Sequence, residues 1–159
     1  MRRTLTAFSV LILSASLTAC GAGLNASTRQ VNQVTDGVEA SITSNENNIK
    51  LVNILLVDTA DGAGVLVGTI VNSHPTEDAL LGLTINGQLA QLTGKNVLAQ
   101  NQPIIFEGAS ANAKAVVNAL GAKAGQRVEI SMFFARAGQV NVQALIRDQR
   151  DTYAGITSK

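Results

Sequence analysis

Side chains with distinctive reactivity are few in this chain: one cysteine, one histidine and two methionines in 159 residues. Cys20 is the most telling. It closes the run Leu17-Thr18-Ala19-Cys20, and Gly21-Ala22-Gly23 follow it. Ahead of it stand Met1-Arg2-Arg3 and an apolar stretch from Leu5 to Leu17. A charged start, an apolar middle and small residues at a cleavage point make a secretory signal. A cysteine directly after Leu-x-Ala makes it the bacterial lipoprotein form. The expectation is that residues 1–19 are a signal peptide, cut before Cys20, and that the Cys20 thiol then carries lipid. An ordinary secreted protein with a chance cysteine near its cleavage site is the blander alternative.

The apolar stretch spans thirteen residues, fewer than the ~20 needed to cross a hydrocarbon core of about 30 Å. Anchoring therefore falls to the lipid. One acyl chain holds a protein at a membrane only marginally and two hold it stably, and a diacylglyceryl thioether with chains such as palmitate supplies two. The expected location is the outer face of the cytoplasmic membrane, lipid-anchored, with the membrane as a partner through Cys20. An alkylated Cys20 leaves no thiolate for catalysis or metal binding and no disulfide.

The remaining candidates for chemistry are weak. A Ser-His-Asp triad could use only His74, and no Gly-x-Ser-x-Gly elbow accompanies it. Glu77-Asp78 is a carboxylate pair, but neighbours on a strand point apart and neighbours in a loop are solvated. Gly62-Ala63-Gly64 and Gly82 lack the strand–loop–helix setting of a phosphate cradle. Asp58, Asp61, Glu77 and Asp78 could meet at one end of a sandwich and take Ca²⁺ through oxygen, with unpaired loop carboxylates as the simpler reading. The expectation is a protein that is not an enzyme, with no catalytic residue, no cofactor and no metal.

Composition narrows the partners. From Cys20 to Lys159 the chain has 140 residues, suited to one domain. Without Arg2 and Arg3 the twelve basic residues fall to ten against eleven acidic ones, a net charge near −1. No basic patch is available for nucleic acid. Four Phe, one Tyr and no Trp leave little to stack against bases, so the core must be built of Val, Ile, Leu and Ala.

The elements that would position these residues are strands. Residues 20–47 hold the lipidated N-terminus and a tether rich in Asn, Ser, Thr, Gln, Gly and Ala. Val31, Val34, Val38 and Ile42 fall at helical spacing there, but Gly37 and several β-branched residues favour an extended segment that partly drapes on the domain. A β-sandwich domain is expected over 48–150 and a tail over 151–159. Ile49 to Val57 is nearly continuous in apolar residues, which suits a strand covered on both faces or one with a bulge. Val65 to Val71 follows the turn-rich loop at Asp58 to Gly64. Leu80 to Ile85 is a third strand with Leu81, Leu83 and Ile85 on one face. Asn86-Gly87 then predicts a tight hairpin, because both central residues of a type I′ turn need positive φ. Weaker strands lie near Val97, Ile104 to Phe106 and Ala115 to Leu120. The clearest pair is last: Val128, Ile130, Met132 and Phe134 alternate with Arg127, Glu129, Ser131 and Phe133, and Val140, Val142, Ala144 and Ile146 alternate after the turn. Short strands at this spacing without an interior helix describe an all-β antiparallel sandwich.

In this order the chain resembles the actinobacterial envelope lipoproteins of the LpqE type and, more distantly, the PCuAC copper-chaperone domain. The resemblance rests on Cys20 to Gly23, Asp36-Gly37-Val38, Ile49 to Leu55, Val71-Asn72, Asp78 to Leu83, Val128 to Phe134, Ala137-Gly138 and Val140 to Val142. It implies an immunoglobulin-like or cupredoxin-like sandwich. In the copper-binding branch it implies Cu(I) held near one end by about four methionine and histidine ligands. This chain keeps only Met132 and His74 after export. Met132 alternates with Ile130 and Phe134 as a core residue does, and His74 precedes Pro75 in a polar loop. The expected function is a membrane-anchored interaction or envelope-maintenance module whose partner is another envelope protein. The alternative is a copper or small-ligand carrier of PCuAC-like type.

Overall fold

A computed structural model describes residues 36–159. The cleavage motif Leu17 to Cys20 and the first part of the expected tether lie outside the described residues. Among the described residues there are eleven strands: β1 Val38–Ile42, β2 Ile49–Asp58, β3 Gly64–Asn72, β4 Asp78–Ile85, β5 Gln88–Leu89, β6 Gln91–Gly94, β7 Val97–Leu98, β8 Ile104–Ile105, β9 Ala113–Val117, β10 Arg127–Phe134 and β11 Gly138–Asp148. A 3-10 turn follows at Asp151–Tyr153. The fold is all-β.

The strands run β5-β4-β10-β11-β2-β3-β9-β6, with β1 on β2, β7 on β4 and β8 on β3. β11 makes the corner. Its first part, Gly138 to Leu145, pairs antiparallel with β10, whereas Ile146 to Asp148 pair in parallel with Leu56 to Asp58 of β2. One long strand thus belongs to both halves of a sandwich and closes them over one core.

The final hairpin folds as its period of two predicts. Val128, Ile130, Met132, Phe134, Val142, Ala144 and Ile146 are all buried, and Arg127 and Glu129 are exposed. Ser131 alternates onto the outer face as expected but is buried there. β10 lies inside the sheet, and Ser131 is flanked by Thr84 and Asn141 in register. At the tight hairpin, Asn86 and Gly87 take φ of 51° and 78°.

β2 explains its own apolar run. Val52 pairs with Thr69 and Leu55 with Val67, so Asn53 and Ile54 together face Gly68. This β-bulge shifts the side-chain phase by one residue. Ile49 and Leu51 face the core before it and Ile54 and Leu56 after it. Leu55 and Val57 then point outward, into a second apolar cluster with Ala63, Val65, Val67, Val116, Tyr153 and Ile156. The strand is both bulged and covered on both faces.

Ordered structure extends on both sides of residues 48–150. β1 pairs with β2 through Ala40–Leu51, Ser41–Lys50 and Ile42–Ile49. Its start is fixed at Gly37, whose N–H donates to Asn53 Oδ1 at 2.8 Å. A Cβ at Gly37 would sit 2.3 Å from the Asn53 carbonyl carbon, so the chains approach there as only glycine permits.

Candidate functional site

The polar residues singled out by sequence are placed at two ends of the sandwich. β3 ends at Asn72, a fully buried side chain that builds the loop after it. Its Nδ2 donates to the carbonyls of Thr76 and Leu98, each at 2.9 Å, and its Oδ1 accepts His74 N–H at 2.9 Å. His74 Nδ1 in turn accepts Thr76 N–H at 3.1 Å. One of the two imidazole nitrogens is therefore committed to shaping its own loop.

Asp78 behaves differently from the solvated loop carboxylate expected. It is 4% exposed. Its Oδ1 accepts Ala79 N–H at 2.7 Å and Arg136 N–H at 2.8 Å, and its Oδ2 accepts Ala137 N–H at 2.9 Å. The turn between β10 and β11 presents backbone donors that need an acceptor, and Asp78 supplies it across the sheet. The Arg136 guanidinium donates outward to Asn47 Oδ1 at 2.8 Å. Glu77 beside it is exposed.

Asp58 and Asp61 lie at the opposite end. Asp58 pairs with Gly64 where β2 turns into β3, whereas Asn72, which leads to Asp78, pairs with Ile49 at the far end of the same strands. At about 3.3 Å per residue the two ends are some 25–30 Å apart. The four carboxylates do not assemble. Asp58 faces Lys123 Nζ at 3.9 Å. Hydroxyl donors from Ser158 and then Thr59 hold the Asp61 carboxyl down at about 2. Gly62 sits in this hairpin loop, its N–H bonded to Thr59 O at 2.8 Å, and forms no phosphate cradle. Among the described residues no three His, Cys, Asp or Glu side chains gather as a metal site.

Met132 is fully buried, opposite Val140 on one side and Leu83 on the other. It is a core residue, while His74 belongs to a surface loop. Met132 is thus not presented for Cu(I), which favours several soft ligands.

What the sequence did not point to is an apolar strip on the outer face of β4. Leu81, Leu83 and Ile85 were expected on one face. Instead Leu80, Leu83 and Ile85 are buried and Leu81 is 65% exposed. The cause is a bulge: Gly82 pairs with Phe133 and Leu80 with Phe134, so Leu81 is the extra residue and is pushed outward. Leu89, opposite Thr84, is 77% exposed, and Val97, opposite Ala79, is 38% exposed. Half-buried Phe133 shares this face. A Cβ added at Gly82 would meet nothing within 4 Å, so the strip is open at its centre. The one signal in the sequence was Gly82 itself, since a glycine inside a strand often marks a bulge.

No protein-family model matches the chain, and no curated protein matches it. Solved structures do. The apo PCuAC domain from PmoF1 has a TM-score of 0.58 at 21% identity, covering 70% of this chain and 99% of that domain. The copper-bound PCuAC domain from PmoF2 has a TM-score of 0.57 at 17% identity, covering 70% of this chain and 98% of that domain. The apo PmoF2 PCuAC domain follows at 0.54 and 16%, over 65% and 92%. These likenesses carry the fold: the chain is similar to PCuAC domains in architecture, which agrees with the distant resemblance noted from its strands.

Proposed function

We propose that this protein is a lipid-anchored, non-enzymatic envelope protein of the LpqE type that presents its β-sandwich as an interaction module. The observation that carries the reading is the strip of Leu81, Leu89 and Val97. Exposed apolar side chains gathered on one sheet face mark a contact surface, and elsewhere on that face Glu129, Asn141 and Gln143 are exposed. The anchor is supported by the Leu17-Thr18-Ala19-Cys20 motif. The partner is another envelope protein; the balanced charge of the chain gives nucleic acid nothing to hold.

A photo-crosslinking residue placed at Leu81 or Leu89 of the lipidated protein, in its own membrane, should give a discrete protein adduct. The same group at Gln143 should not. Cys20→Ser should abolish membrane retention. Equal, diffuse labelling from all three positions would remove the interaction reading, and a membrane-bound, normally processed Cys20→Ser protein would remove the anchor.

The second reading is a carrier of PCuAC-like type. The fold likeness to a copper-bound PCuAC domain supports it. Among the described residues the donor set does not fit Cu(I), because Met132 is held in the core and His74 Nδ1 is engaged by its own loop. A carrier built on these residues would take a small organic ligand.

A further inference from the structure

The outer face of the β2–β3 pair bears an apolar surface separate from the core. Leu55, Val57, Val65 and Val67 lie there, and the segment after β11 lays Tyr153 and Ile156 over them. Gln149 fastens this strap: its Nε2 donates to Ile156 O at 2.6 Å, and its Oε1 accepts Ala60 N–H at 3.0 Å. The cover is incomplete. A cavity of about 430 Å³ remains beside the strap, lined chiefly by Asn53, Val67, Glu107, Tyr153 and Ile156. That volume falls in the range of small-molecule pockets, roughly 300–1,000 Å³.

Two polar groups meet on this wall. The β2 bulge presents Asn53, whose Oδ1 already accepts Gly37 N–H. Phe106 N–H donates to Gly68 O at 3.0 Å, which docks Glu107 beside the same bulge. The Glu107 side chain is 18% exposed, and Lys114 Nζ stands 4.0 Å from it, beyond hydrogen-bond reach. Lys114 Nζ donates instead to Lys159 O at 2.7 Å. Burial pushes the Glu107 carboxyl above its usual value, and Lys114 offsets this in part. A half-buried carboxylate without a hydrogen-bonded cation gains from one that a ligand brings. The ring of Tyr153 adds an apolar wall beside these groups.

We infer that this cavity binds a small amphipathic amine, with its ammonium on the Glu107 carboxylate and its apolar body against Val67, Tyr153 and Ile156. The site deepens the carrier reading, on which it rests, and uses neither the Leu81–Leu89 strip nor the lipid anchor, so its failure leaves the interaction reading standing.

Tyr153 is the only tyrosine and the chain has no tryptophan, so tyrosine emission of the full chain reports on this wall alone. Titration with 2-phenylethylamine should give a saturable change, with 2-phenylethanol binding at least about tenfold more weakly because it lacks the charge. Glu107→Gln should erase that preference. Amide NMR shifts of the unsubstituted protein should move at Glu107, Gly108 and Tyr153, which localises the site even if the variant folds poorly. No saturable response, equal binding of amine and alcohol, or shifts confined to other residues would each overturn the proposal.

Discussion

Asp78 shows how one side chain can be structural while its sequence setting suggests a surface loop. Adjacent acidic residues before an apolar run look solvated, and Glu77 is. Asp78 is held at the β10–β11 turn, almost sixty residues later in the chain, where the N–H groups of Arg136 and Ala137 donate to it. The need is tertiary, so no local pattern carries it. A carboxylate can accept all three N–H bonds; an amide has one acceptor oxygen and would turn an NH₂ toward a donor. Asp78→Asn should therefore cost about 1–3 kcal/mol, the range for a buried donor left unpaired. Denaturant unfolding measures it, and a loss within about 0.5 kcal/mol, as at an ordinary surface site, would mean that the carboxylate does not hold the turn. The Leu17 to Cys20 motif is a different kind of reading, made from a linear stretch alone, and it lies outside the described residues.

Strand existence was legible wherever the alternation was regular, and strand phase was lost wherever a bulge intervened. The last hairpin has no bulge along its own pairing, and its faces fall as the sequence predicts. In β4 the extra residue Leu81 moves from the expected core face to the surface, and in β2 the bulge at Asn53 and Ile54 lets apolar residues of both parities reach the core. A bulge is set by the partner strand as much as by its own residues, which is why Gly82 was only a hint. The regular hairpin supplies the cleanest test of the fold. Ile130 is fully buried and Glu129 exposed on adjacent positions of β10. Ile130→Ala should cost on the order of 2–5 kcal/mol, and Glu129→Ala should stay within about 0.5 kcal/mol. Equal midpoint shifts for the two in denaturant unfolding would refute the assignment of faces.

At the scale of the whole domain, first and last described segments are tied together. Asp36 Oδ2 accepts Tyr153 O–H at 3.1 Å and lies 3.6 Å from Arg147 Nε, and the Arg147 guanidinium sits 5.9 Å from the centre of the Tyr153 ring. That residues near 36 and 153 meet was not legible in the linear pattern, because both flank the regular strands. The likeness to PCuAC domains is one of architecture, and it leaves the copper question to the side chains. Architecture is shared with a copper-bound domain, but ligands are a matter of side chains, and this one keeps a single thioether and a single imidazole among its described residues. Met132 could reach a metal only by leaving a core in which it is fully buried, and emptying such a position costs about 2–5 kcal/mol. His74 would then stand alone, and one imidazole is far short of the soft donors Cu(I) prefers. Titrating the protein with Cu(I) against a competing chelator should therefore show no high-affinity site, and Met132→Leu should leave the result unchanged. A stoichiometric complex that disappears in His74→Ala would reverse this, and would mean that the fold brings copper chemistry with it even where the ligand set has been reduced to one exposed loop.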